Sequence, residues 1–219
     1  TQGLFAFAPN AILHGAGGDD LIEAREGNET IIASSGNDTV DGGAGFDVMR
    51  FQGALGDFDH EGGLDGLRIS GGSTDSLLEG IERVQFSDAS IALDMDGAAG
   101  SVARILGVVF GAAAASQPAW VGIGLSLADG GMSETTLMTL ALEVGLGAGA
   151  SNAQVVSLLY QNLAGEAPTQ DIIDFFSGEI EQGTYTQVSL ALLAASLPLN
   201  LQLIGMSEME MEGVVYVPY

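Results

Sequence analysis

GAGGDDLIE (residues 15–23), AREGNETII (24–32), ASSGNDTVD (33–41) and GGAGFDVMR (42–50) are four consecutive nines that align column by column. Glycine recurs at Gly18, Gly27, Gly36 and Gly45. An acid follows two residues later each time, at Asp20, Glu29, Asp38 and Asp47. An aliphatic or methionine side chain follows two after that, at Ile22, Ile31, Val40 and Met49. Self-similarity at a fixed short period is the signature of a repeat architecture. A loop merely rich in Gly and Asp does not account for the apolar column.

The three columns carry a physical reading. Glycine permits the positive φ or close backbone approach of a tight turn. The acid ends the turn, and the residues after it form a short strand with alternating sides, so the apolar column points inward. Nine residues make a turn and a strand, and two nines make one coil of a right-handed parallel β-roll. Turns on one side are then 18 residues apart, which stacks Asp20 on Asp38 and Glu29 on Asp47. Stacked carboxylates repel unless a cation lies between them. Carboxylates with turn carbonyls form a hard, all-oxygen cage that favours Ca²⁺.

The last nine, Gly42 to Arg50, fits G-G-x-G-x-D-x-U-x with Met49 as the large apolar residue. In this the sequence resembles the RTX (repeats-in-toxin) calcium-binding family. Residues 24–32 and 33–41 lack the first two glycines, and Glu29 stands where the family has Asp. The resemblance implies that each ion is held by acids and turn carbonyls of two repeats one coil apart. Carried onto this sequence, one site uses Gly15, Gly17 and Asp20 with Ser34, Gly36 and Asp38. The other uses Ala24, Glu26 and Glu29 with Gly43, Gly45 and Asp47. The extra methylene of Glu29 predicts a weaker or rearranged second site.

On either side of the repeat, Leu4-Phe5-Ala6-Phe7 and Ala11-Ile12-Leu13 read as strands that begin the roll. Asp57, Asp59, Glu61 and Asp65 break the nine-residue register and read as a solvated acidic loop. Leu67–Ile69, Ile81–Phe86 and Ser90–Leu93 alternate as strands. The run Leu78–Asp88 resembles a segment that closes RTX rolls, and it is expected to cap the open sheet edge. Composition changes near Asp96–Gly100, with 18 of the 29 acidic residues up to and including Asp96 and all five cations except Arg104 before it. The expected architecture is therefore α+β, with a calcium-stabilised β-roll over residues 1–96 and an all-α helical domain over 97–219.

The second half also repeats. Ser101, Ile105, Val108, Val109, Phe110 and Pro118 match Ser151, Val155, Leu158, Leu159, Tyr160 and Pro168 at an offset of fifty, and Gly131 matches Gly183 after a two-residue slip. Each unit reads as helix, Pro turn, helix, Gly turn, helix. The segment Ser151–Asn162 resembles an uncharacterised helical repeat domain that accompanies RTX repeats in secreted and surface-layer bacterial proteins. Its usual Gly-Arg-x-Pro-Asp turn is absent at Ser116–Trp120 and Gly165–Thr169.

Composition excludes several functions. The chain has 219 residues, five Arg, no Lys and 29 acids, for a net charge of -24. Nucleic acid and anionic membrane surfaces are poor partners for it. Without Cys, thiolate catalysis, disulfides and Cys-ligated metals are out. Ile105–Ala128 and Thr186–Ser207 are long and uncharged, but Pro118, Pro198 and Asn200 interrupt them and no Lys/Arg cluster flanks them. They read as buried helices rather than membrane spans. His14 and His60 lack zinc-ligand spacing and read as surface or turn residues. Gly145–Ala150 follows a helical stretch rather than a strand, so it reads as a helix connection and not a dinucleotide loop. Trp120, Tyr160 and Tyr185 read as packing residues.

These readings converge on a non-enzymatic module. The chain, which starts at Thr1, reads as a fragment or processed product. It is expected to be the calcium-dependent C-terminal region of a bacterial type I secreted protein, extracellular or at the cell surface. In that reading the helical half serves surface polysaccharide or self-assembly. The competing class is an appendage or glycan-binding module of a secreted protease, lipase or epimerase. The tail Glu208–Tyr219 is either an export signal or a final strand.

Overall fold

The structure is a computed structural model that describes residues 3–5, 10–63 and 65–219. Strands fill its N-terminal part and eight α-helices follow, an α+β chain. It divides into two compact units, Thr1–Met95 with Glu208–Pro218, and Asp96–Ser207 with Tyr219.

The first unit begins with β1 (Gly3–Phe5), β2 (Ile12–His14), β3 (Leu21–Glu23), β4 (Glu26–Gly27), β5 (Thr30–Ile32), β6 (Gly36–Asp41), β7 (Ala44–Gly45) and β8 (Val48–Arg50). Of the predicted first strand, Ala6 and Phe7 lie outside the described residues. Successive nines enter alternate sheets, so strands two repeats apart are parallel neighbours. Leu21 pairs with Thr39, Ile12 with Thr30 and Thr30 with Val48, each 18 residues on. This register places the apolar column inside, with Ile22, Ile31, Val40 and Met49 at most 1% exposed. Each such burial contributes about 1.5–3 kcal/mol, which fixes the register because a one-residue slip would turn the whole column outward.

The coil then pauses. After β8 come β9 (Asp59–Gly63) and β10 (Gly66–Gly71), an antiparallel pair. The acidic segment expected as a loop is thus partly the edge strand β9, since Asp59 and Glu61 face solvent while main-chain pairing to β10 is satisfied. The winding resumes with β11 (Thr74–Glu79) and β12 (Arg83–Gln85), which pair parallel with β6 and β8. Leu78–Asp88 therefore does not cap a sheet edge; it adds one more strand to each sheet. The covering strands are β10 on β11 and β13 (Ser90–Ala92) on β12, both antiparallel. Phe51, Phe58 and Phe86, with ring centroids 5.3–5.5 Å apart, pack beside the apolar column.

The tail, assigned to the helical half from sequence, returns to this unit. β14 (Val214–Tyr216) pairs antiparallel with β13 and buries Val214 and Tyr216. It covers an edge that would otherwise present unpaired backbone groups. The two sheets thus have the orders β1-β3-β6-β11-β10-β9 and β14-β13-β12-β8-β5-β2.

The second unit holds α1 (Ala98–Phe110), α2 (Pro118–Asp129), α3 (Glu134–Leu146), α4 (Asn152–Ala164), α5 (Gln170–Glu181), α6 (Gln187–Ser196) and α7 (Pro198–Leu203), while α8 (Met206–Glu212) leads back to β14. Ser133, Ser151 and Thr186 cap α3, α4 and α6 through their hydroxyls. Pro118 and Pro198 start α2 and α7, where a missing N–H costs nothing. Both long uncharged stretches are thereby cut into short helices, and among the described residues no helix is long and apolar enough to cross a membrane.

The glycine column is sterically fixed. A methyl group on Gly36 would overlap the Gly18 carbonyl, and one on Gly45 the Gly27 carbonyl; the φ values are 127° and 146°. The second position also turns left-handed in three of the four nines, at Ala16 (φ 72°), Arg25 (φ 76°) and Gly43 (φ 83°). Gly45→Ala should therefore cost about 2–4 kcal/mol in calcium, while Gly56→Ala, with open space around it, should be near neutral. Ala16→Gly should raise the melting temperature by relieving roughly 1 kcal/mol of left-handed strain. Equal melting of Gly45→Ala and Gly56→Ala would contradict the stacked-turn geometry.

Candidate metal centre

The acid column is buried with the apolar one. Asp20 and Asp38 are 3% exposed, and Glu29 and Asp47 are 0%. A buried carboxylate is costly unless hydrogen-bonded or paired with a cation. Part of the compensation comes from the backbone of the coil before. The Asp20 N–H donates to Asp38 Oδ1 at 3.0 Å, and the Glu29 N–H to Asp47 Oδ1 at 2.7 Å, both across 18 residues. The Asn10 N–H donates to Glu29 Oε1 at 2.8 Å. Ser34 Oγ donates to Asp38 Oδ2 at 2.9 Å.

The remaining oxygens point to a cation. Glu29 Oε2 and Asp47 Oδ2 are buried and accept no hydrogen bond. Among the described residues no three acids or histidines converge on one point. The acids stand in file, one per coil, so an ion between coils has two carboxylates and must complete its shell from backbone carbonyls. That donor set is hard and all-oxygen, which suits Ca²⁺.

Several residues of the two expected ligand sets are neighbours in the fold. A Cβ on Gly15 would lie 2.5 Å from Ser34 Oγ and 3.1 Å from Asp20 Oδ2, and one on Gly17 would lie 3.3 Å from Ser35 Oγ. Gly36 stacks on Gly18 beside Asp38. In the second set, β4 and β7 pair Glu26 with Ala44 and Gly27 with Gly45, and Gly43 abuts the Arg25 carbonyl. Glu26 itself is exposed, whereas Ala24 belongs to the apolar core. His14 is exposed on β2 and His60 half-buried on β9.

Two residues in the same columns escaped the sequence reading. Ser76 is the register partner of Asp38 on the resumed coil and is fully buried. Glu82 stands one coil beyond Asp47, whose N–H donates to Glu82 Oε2 at 2.6 Å. Its signal is present in the sequence: Gly80-Ile81-Glu82-Arg83-Val84 repeats the spacing of Gly45-Phe46-Asp47-Val48-Met49. The 30 residues between Arg50 and Ile81 take it out of the nine-residue frame.

Burial raises the Asp47 carboxyl to about 7; the Glu29 N–H pulls it down, and the Glu29 and Glu82 carboxylates push it up. Glu82 is raised as well, again mainly by burial.

The family model of the RTX calcium-binding nonapeptide repeat (4 copies) matches residues 14–49. This stretch is a calcium-binding repeat segment, and Ca²⁺ is its ion. Among solved structures, the extracellular lipase LipA from Serratia marcescens is similar at 18% identity and a TM-score of 0.36 over 43% of this chain. The chain spans only 17% of that lipase chain. No curated protein matches the sequence.

The raised Asp47 fixes a pH response. In the ion-free fold its neutral form is favoured, so this contribution to stability is present below about pH 4 and is lost as pH rises through 7. Calcium binds the carboxylate and reverses the trend. Melting of calcium-depleted protein should be higher at pH 5 than at pH 7.5, and calcium should raise it more at pH 7.5. Ion-free stability that climbs with pH over this range would contradict the assignment.

Proposed function

We propose that this chain is a calcium-triggered folding module of a bacterial protein exported by type I secretion, acting outside the cell and without catalysis of its own. The observation that carries this reading is the file of buried acids at 18-residue spacing, with carboxylate oxygens that no protein donor reaches. In a calcium-poor cytosol those acids and a net charge of -24 oppose compaction. Outside, millimolar calcium binds only the folded coil, so binding free energy becomes folding free energy. The chain thus stays extended for export and folds on arrival. The helical unit serves association at the cell surface, through polysaccharide or a second copy.

Calcium added to chelator-treated protein should increase β-type circular dichroism and the melting temperature. Mg²⁺ should do so poorly because it demands a smaller octahedral site. Within the first site, Asp38→Ala removes a charged ligand together with the acceptor for the Asp20 N–H and Ser34 Oγ. Asp38→Asn keeps the shape and lowers the charge. Affinity should fall from wild type to Asn to Ala, by on the order of 10–100-fold for Ala if about 1.5–3 kcal/mol is lost. Glu166→Ala, on the helical unit, should bind as wild type does. Spectra and melting unchanged by calcium would remove the proposal.

A further inference from the structure

We propose that Glu82 and Asp47 form a third calcium site, one coil beyond the nonapeptide repeats, and this deepens the calcium reading above. Three features place it. The first is register. The N–H of Glu29 donates to Asp47, and the N–H of Asp47 donates in the same way to Glu82. The carbonyls match too. Val48 N–H donates to the Glu29 carbonyl at 3.0 Å, and the Glu82 and Arg83 N–H groups both donate to the Asp47 carbonyl at 3.1 Å. Glu82 thus stands to Asp47 as Asp47 stands to Glu29.

The second feature is the turn. Gly80 has a φ of 60°, and its carbonyl packs so closely on Gly42 that no Cβ fits there. The Gly42 N–H donates to the Glu79 carbonyl at 2.9 Å, as the Ala24 N–H donates to Asp41 at 2.8 Å. The Glu79–Glu82 turn therefore starts beside Gly42 and ends beside Asp47, three residues shorter than the turn it stacks on. Gly80 stacks on Gly42, the first position of its nine, so the fourth-position glycine has no counterpart here; Glu82 and Val84 keep the acid and apolar columns, and Val84 is fully buried.

The third feature is the unsatisfied oxygen. Asp47 is wholly buried, and its Oδ2 has no hydrogen-bond partner. Asp47 has one carboxylate neighbour on each side in the file, so three acids enclose two gaps. The adjoining cation Arg83 is paired with Asp94 and lies over the Phe46 ring, 4.8 Å from its centroid. A divalent ion in the second gap, held by Asp47, Glu82 and carbonyls of the two turns, matches the chemistry of the first. The longer Glu side chain offsets the shorter turn, which has one residue between Gly80 and Glu82 where four separate Gly42 from Asp47.

Counting ions on the intact chain tests this. Native mass spectrometry in saturating calcium should give three ions for wild type, two for Glu82→Gln and three for Glu79→Gln, an exposed acid in the same segment. Gln retains the acceptor for the Asp47 N–H, so the fold is kept while the charge is lost. Calorimetric titration should show the third ion displaced at least tenfold in affinity in Glu82→Gln. A wild-type count of two, or a count of three that survives Glu82→Gln, overturns the third site. Either result leaves Asp38→Ala free to show loss of an ion from the repeats, so failure here is distinct from failure of the calcium-folding proposal, in which wild type would bind none.

Discussion

A carboxylate stacked on a carboxylate is the constraint on which the first unit depends. The sheet spacing sets coils about 4.8 Å apart, and at that distance two unscreened charges repel by about 3–4 kcal/mol with an effective dielectric of 20. The repeat cannot avoid the arrangement, because the same 18-residue register that buries Ile22, Val40, Ile31 and Met49 also superimposes Asp20 on Asp38 and Glu29 on Asp47. Apolar burial and charge repulsion are two consequences of one geometry. A cation between the coils offsets the repulsion without disturbing the apolar register.

The glycines enter the same balance. Turns bearing the acids must stack backbone on backbone for two coils to reach a shared ion, and any Cβ at Gly36 or Gly45 would hold them apart. The chain tolerates Ala16 and Arg25 at left-handed positions where the closest repeat has Gly43. The second position drifts through Ala16, Arg25, Ser34 and Gly43, with glycine kept at Gly43 where a Cβ would meet the Arg25 carbonyl, while the fourth position is glycine in every nine.

The periodic columns were legible because each is enforced at every turn by local geometry. The continuation was less so. Residues 51–73 insert a hairpin strand and change the coil-to-coil offset from 18 to 38 at Ser76 and 35 at Arg83, so a fixed-period reading loses Ser76 and Glu82 although the G-x-E-x-V spacing persists. Acids at Asp59 and Glu61 suggested a loop, but an edge strand needs only main-chain pairing on one side and gains from outward charge. The path of Glu208–Pro218 back to β13 rests on a pairing more than 120 residues distant in sequence, such as Ser90 with Tyr216, and no local pattern encodes it.

That last pairing gives the chain its topology. Because β13 and β14 are neighbours, the helical unit Asp96–Ser207 is an insertion within the first unit rather than an extension of it. Its ends are drawn together at the ladder from Ala92 to Val214. Closing a segment of this length costs about 4–5 kcal/mol in chain entropy when it is done by the segment alone. When the sheets hold the ends, the helical unit is spared that cost. Whatever stabilises β8 and β12 also stabilises β13, which holds β14 and with it the ends of the helical unit. Linkage of this kind follows from connectivity, which ties the order of the helical unit's ends to the stability of the sheets.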